Sequence, residues 1–170
     1  MGKKIIIKGA DFSENGINYT EHLYLGVYTQ RGAGDSTPVA ANGGWAYGTS
    51  SAPFTGLVNK TINFVRFVGK KVGTLNFYRC TDPTDSTTLH LVTSVEITAV
   101  GKEIMHVFEP VTLGNEYFVI GEPNGSQGLP GYKSSGSTVG GPWIGKIPNS
   151  SLSSYNSAGI TIDVGYIDYQ

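Results

Sequence analysis

From Thr61 to Ile120 the chain settles into short β-prone runs separated by turn residues, and two of the runs alternate apolar and polar residues at every second position. Period-two alternation puts successive side chains on opposite faces of a strand, and it is incompatible with a packed helix. Thr74–Cys80 sets Leu75 and Phe77 against Asn76 and Tyr78. Leu89–Val100 sets Leu91, Thr93, Val95 and Ile97 against Val92, Ser94, Glu96 and Thr98. Gly69-Lys70-Lys71-Val72-Gly73, the polar stretch Thr81–Thr88 with Pro83, Gly101-Lys102 and Thr112-Leu113-Gly114-Asn115 carry the turn chemistry between them. The expected strands here are Thr61–Val68, Thr74–Cys80, Leu89–Val100, Glu103–Phe108 (ended by Pro110) and Glu116–Ile120.

Other segments extend the pattern. Lys3–Lys8 is a short β-prone run. Glu21–Thr29 alternates Leu23, Leu25 and Val27 with Tyr24, Gly26 and Tyr28, so both of its faces are expected to be covered. Trp45-Ala46-Tyr47 reads as a short strand. Ile160–Tyr169 turns Ile160, Ile162, Val164 and Tyr166 one way and Thr161, Asp163 and Gly165 the other. The chain has 24 Gly and 10 Tyr in 170 residues, and its charged fraction is 15%, against roughly 25% for an average domain. Ala, Leu, Glu and Lys, the residues that fill helices, are sparse. About eight or nine strands and no helix follow.

Two connections, 30–60 and 121–159, are too long for hairpins. They suit a double-sheet arrangement in which strands cross between sheets. The expected fold is all-β: a jelly-roll-like antiparallel β-sandwich with two long loops and a short N-terminal β arm. Residues 1–20 form the arm, suited to docking or strand addition, and residues 21–170 form a single sandwich domain large enough to bury a core.

The long loops hold the aromatic residues that most suggest binding: Trp45 and Tyr47 in one, Tyr132, Trp143 and Tyr155 in the other. Sugar rings stack on flat aromatic faces, and the Asn, Ser and Gln around them bond hydroxyls. The competing role for the same residues is to plug the sandwich ends or line a contact between subunits.

Catalytic motifs do not survive inspection. Gly34-Asp35-Ser36 matches the nucleophile block of the SGNH/GDSL hydrolases, but no Asp-x-x-His follows it. There is no Gly-x-Ser-x-Gly elbow. His22, His90 and His106 lack metal-ligand spacing. The acidic residues show no spacing that selects a general acid/base pair. Cys80 is the only cysteine, so it has no disulfide partner, and a buried thiol in a protein made in a reducing cytoplasm is expected. No cofactor or metal is expected.

Net charge is −1, which argues against nucleic acid as a partner. The clusters Lys3, Lys4, Lys8 and Lys60, Arg66, Lys70, Lys71 read as solvated strand ends and turns. The apolar run Ile5–Ile7 is far too short for a signal-peptide core or a membrane span, so no membrane insertion is expected.

The opening Lys3-Lys4-Ile5-Ile6-Ile7-Lys8-Gly9-Ala10-Asp11-Phe12-Ser13-Glu14-Asn15-Gly16-Ile17 resembles a leader on proteins of Bacteroides-type gut bacteria and their phages and prophages, where it precedes β-sandwich or hydrolase modules. Pro110–Gly121 is similar to a strand start common in jelly rolls. The resemblance implies a virion structural protein (a fibre, decoration or baseplate component), made in the host cytoplasm, assembling as a homo-oligomer or with other virion proteins. The alternative that it implies is a carbohydrate-binding module of a gut bacterium. A glycan-active hydrolase is the least favoured reading, because the Asp-x-x-His is missing.

Overall fold

The computed structural model describes residues 6–7, 19–34, 39–40, 44–49, 51–121, 128–133, 144–147 and 159–169. Its strands are β1 (Ile6–Ile7), β2 (Tyr19–Gly26), β3 (Val39–Ala40), β4 (Gly44–Tyr47), β5 (Thr61–Val68), β6 (Gly73–Cys80), β7 (His90–Ile97), β8 (Glu103–Thr112), β9 (Tyr117–Ile120), β10 (Gly128–Leu129), β11 (Tyr132–Lys133), β12 (Ile144–Ile147), β13 (Gly159–Ile160) and β14 (Ile162–Tyr169). Two antiparallel five-stranded sheets pack face to face as a β-sandwich: β1-β8-β5-β14-β2 and β12-β4-β9-β6-β7. Two short ladders, β3–β10 and β11–β13, stand beside them.

The core fills the space between the sheets. Leu25, Ile62, Val65, Phe67, Phe108, Ile162 and Val164 meet Tyr47, Leu75, Phe77, Val95, Ile97, Phe118 and Ile120. Phe77 stacks on Phe118 with centroids 5.9 Å apart, within the range where aromatic pairs attract beyond simple burial. A polar bond joins the sheets inside the core: His106 Nε2 lies 2.7 Å from Thr93 Oγ1. The outer faces are also covered. Phe64, Met105, Val107 and Ile167 are buried on the first sheet, and Ala46, Cys80, Tyr117 and Val119 on the second.

The pairing is nested. β2 pairs with β14, β4 with β9, β5 with β8, and β6 with β7. The first long strand thus meets the last, the second meets the second-last, and so on inward. Among these eight strands, only the step from β6 to β7 stays within one sheet. Their registers sort the connections into two ends. Asp163 opposite Gly26, Ile162 opposite Phe67 and Val68 opposite Glu103 put the exits of β2 and β5 beside the starts of β8 and β14. Trp45 opposite Ile120 and Gly73 opposite Ile97 do the same in the second sheet. Connections 27–43, 69–72, 98–102 and 121–161 therefore leave from one end, the loop end. Connections 48–60, 81–89 and 113–116 leave from the other, the closed end.

Four expectations are corrected. A five-residue helix, α1 (Val27–Arg31), replaces the last turn of the strand expected through Thr29, and it contradicts the all-strand reading. Gly26 before it and Gly32 (φ 76°) after it let the backbone leave the β region, which Val and Tyr in the middle would not do unaided. Strand β8 runs past Pro110 to Thr112. A β-bulge in the β6–β7 pair, between Phe77 and Tyr78, takes Leu91 off the core face and leaves it 59% exposed while Thr93, Val95 and Ile97 stay inside. A second irregularity, in the β2–β14 pair between Val164 and Gly165, sets Leu23 opposite Gly165, off the face that Leu25 shares with the core, and leaves it 38% exposed.

Candidate functional site at the loop end

The two long connections are zipped together. In β3–β10, Val39 lies opposite Leu129 and Ala40 opposite Gly128. In β4–β12, Gly44 lies opposite Ile147 and Tyr47 opposite Ile144. Thr161, buried, fastens the junction: its N–H donates to Gly131 O at 2.8 Å and its Oγ1 donates to the same oxygen at 2.6 Å. That Oγ1 also lies 3.2 Å from Ala33 O. Gly34 passes so close that a Cβ there would sit 2.7 Å from Thr161 Oγ1, with φ at +78° besides, so only glycine fits.

The aromatic residues nominated for stacking fall into three groups. Tyr47 is fully buried, and its hydroxyl donates to Ile160 O at 2.7 Å. Trp45 is 8% exposed and belongs to the same core. Neither ring offers an open face, because β4 is an inner strand that turns both into the sandwich. Their place is to hold one long connection against the end of the other. The backbone of Tyr132 pairs with Ile160 in the β11–β13 ladder. Trp143 and Tyr155 lie outside the described residues, as do Asp35 and Ser36 of the hydrolase-like block.

On the outer face of the first sheet, the loop end carries a buried ionic network. Arg66 and Asp163 are direct cross-strand partners in β5–β14. Arg66 Nε and Nη2 donate to Asp163 Oδ2 at 3.0 and 2.8 Å. Its Nη1 and Nη2 donate to Glu21 Oε2 and Oε1 at 2.9 and 2.7 Å, a bidentate pair. Helix α1 adds Thr29, whose N–H donates to Asp163 Oδ1 at 3.0 Å and whose hydroxyl donates to Oδ2. Tyr28 reaches across to donate to Glu103 Oε1 at 2.6 Å. Burial by itself would weaken the guanidinium's hold on its proton, but the bonds to Glu21 and Asp163 outweigh it and raise the pKa of Arg66. Burial and the Glu103 bond push the Tyr28 hydroxyl up to about 12.

This network differs from the solvated cluster expected of Lys60, Arg66, Lys70 and Lys71. Arg66 is locked among acids, and Lys60 sits at the closed end with its Nζ 5.4 Å over the Tyr24 ring. The loop end also presents an apolar tip where the sequence pattern indicates plain turns. Val72 is 59% exposed and Val100 57%. Their two turns are tied together by Gly69 N–H to Lys102 O (3.1 Å) and Gly101 N–H to Gly69 O (2.8 Å). Lys70 and Lys102 stand beside them. The available signal was a valine immediately before the turn glycine in each case, Val72-Gly73 and Val100-Gly101.

Asp163 and Glu21 both accept from Arg66, so both carboxylates are engaged within the network. Cys80 is buried, and burial with the negative charges of Asp82 and Glu116 pushes its thiol up to about 12, so it is no thiolate nucleophile at neutral pH. Among the described residues no group of three or more His, Cys, Asp or Glu is placed to hold a metal ion. Searches against protein-family models, curated proteins and solved structures return no match for this chain.

Proposed function

We propose that this protein is a non-enzymatic structural component of a phage particle, of the fibre, decoration or baseplate kind. It is a jelly roll that assembles into an oligomer, docks through its N-terminal arm and turns its loop end outward. The observation that carries this reading is the division of the molecule into two unlike ends. A scaffold of eight nested strands gathers connections 27–43 and 121–161, zipped together through β3–β10, and two valine-tipped turns at one end. Recognition surfaces concentrate on loops held by a rigid scaffold in this way. The nested order supports the jelly-roll assignment, since such folds wrap one long antiparallel ribbon into two sheets. The engaged carboxylates and the inert Cys80 support a role without catalysis.

A surface glycan is the ligand class to test at the loop end. Tyr132, Trp143 and Tyr155 are then the stacking residues, since the rings of Trp45 and Tyr47 are enclosed. Light scattering on the full-length chain is the test of assembly. A mass that is a whole multiple of 18.1 kDa, above the single chain, is expected. A monomer at every concentration tried contradicts the proposal.

A further inference from the structure

The nested ribbon is complete without β1. Strand β1 is an addition to the free edge of β8, held by two residue pairs, Ile6 opposite His106 and Ile7 opposite Met105. Its own chain continues at Tyr19, on the opposite edge of the same five-stranded sheet. That is four strand spacings, ~19 Å away. The link of eleven residues, 8–18, has a reach of up to ~40 Å, enough to span the sheet or to bridge to a neighbouring molecule.

The edge that receives β1 is bounded and charged. Pro110 has no N–H to offer a ladder, so strand addition along β8 stops at Glu109. Glu109 is exposed. A strand continued for three more residues in the register of Ile6 with His106 would bring Lys3 to Glu109. The segment Lys3-Lys4-Ile5-Ile6-Ile7-Lys8 therefore matches this edge in length, β propensity and charge.

We propose that the edge of β8 on which β1 lies is a strand-addition site, and that in the assembly its occupant is the Lys3–Lys8 arm of a second copy of this chain. Exchange of an identical element between copies is a low-cost route to an oligomer, because the same bonds form in either setting. This inference rests on the assembly reading above and names the contact that builds it.

The test uses full-length variants with one added cysteine each, Ile7→Cys and Met105→Cys, with Cys80 left in place because it is buried. The two are co-refolded as an equimolar mixture and oxidised. The expected result is a disulfide-linked pair of copies in the mixture, and linked chains rather than a closed monomer from the Ile7→Cys/Met105→Cys double variant. If the double variant closes within one chain while the mixture stays unlinked, the arm folds back on its own sheet and the exchange is overturned. If the mass by light scattering is still multimeric in that case, the assembly reading stands. No linkage in either sample means that the ladder itself is absent, which also overturns the inference. A second pair of variants avoids cysteine. Lys3→Glu and Glu109→Lys each set like charges against one another at this contact, and each is expected to lower the multimeric mass. Co-refolding the two variants together is expected to restore it, because every exchange between unlike copies again brings opposite charges together. Failure of the mixture to recover any mass overturns the pairing.

Discussion

The two ends of the sandwich mix local and distant polar bonds in different proportions. The closed end has distant ones, such as Tyr117 Oη to Thr49 O at 2.8 Å and Thr61 Oγ1 to Thr112 Oγ1 at 2.8 Å, but its turns are also closed by near neighbours in sequence. Asp82 Oδ1 accepts from the N–H and hydroxyl of Thr84 at 2.9 and 2.6 Å. Asp85 Oδ1 accepts from Thr87 N–H at 2.9 Å, and Glu116 Oε1 from Gly114 N–H at 2.9 Å. At the loop end the bonds join residues far apart in sequence: Tyr47 with Ile160, Thr161 with Gly131, and Arg66 with Glu21 and Asp163. The turns of Asp82 and Asp85 can form locally. The loop end exists only after distant segments have met, so its integrity depends on a few side chains.

The largest break in this comparison should come from Arg66→Met. It leaves Asp163 buried without its cation, at an expected cost of about 3–5 kcal/mol in urea denaturation. A loss below about 1 kcal/mol would show that the network is not structural. Alkaline pH strikes both ends. Folded Tyr28 and Cys80 hold their protons to about 12, against ordinary values of 10.0 and 9.0. The folded state therefore binds more protons than the unfolded one between about pH 9 and 12. The stability that this confers is complete below that window and is lost as pH rises through it. The melting temperature should fall steadily over that range, and a flat profile would contradict the burial of Cys80.

Smaller effects sharpen the contrast. Tyr47→Phe should cost about 1–2 kcal/mol, since it leaves the Ile160 carbonyl buried without its donor. It should also speed protease cleavage within 121–159, which a merely local defect in β4 would not do. At the closed end, Arg79→Ala removes a half-exposed pair with Glu116 at 3.4 Å and should cost less than about 1 kcal/mol. Smallest of all, Val72→Ser with Val100→Ser should stay within about 0.5 kcal/mol of wild type, because both side chains already face water.

Much of the scaffold is legible in the sequence, for a physical reason. Strands such as Thr74–Cys80 announce themselves by alternation, and Thr61–Val68, a β-prone run bounded by turn residues and buried on both faces, has the bounds expected of it. Bulges are where alternation misleads. An inserted residue reverses the parity of everything beyond it, so Leu91 and Leu23 lie on faces that the alternation does not indicate. Pro110 misleads in another way, because proline is tolerated in β8 on a sheet edge where its missing N–H faces away from the ladder. The pairing of 30–60 with 121–159 is suggested by their shared aromatic character, but the bonds that make it are not. Thr161, Ala33 and Gly131 carry no local pattern, and the Arg66–Asp163 contact depends on a register between strands 97 residues apart. Trp45 and Tyr47 resemble loop aromatics because their four-residue strand is too short to show a period.

The most direct test of an arm-docked assembly with an outward loop end is hydrogen exchange on the assembled full-length protein. Slow exchange is predicted along the outer edge of β8 from Glu103 to Val107 and at Ile6 and Ile7, with fast exchange at Val72 and Lys102 on the outward-facing turns. The reverse pattern, protected turns and a freely exchanging β8 edge, would contradict it.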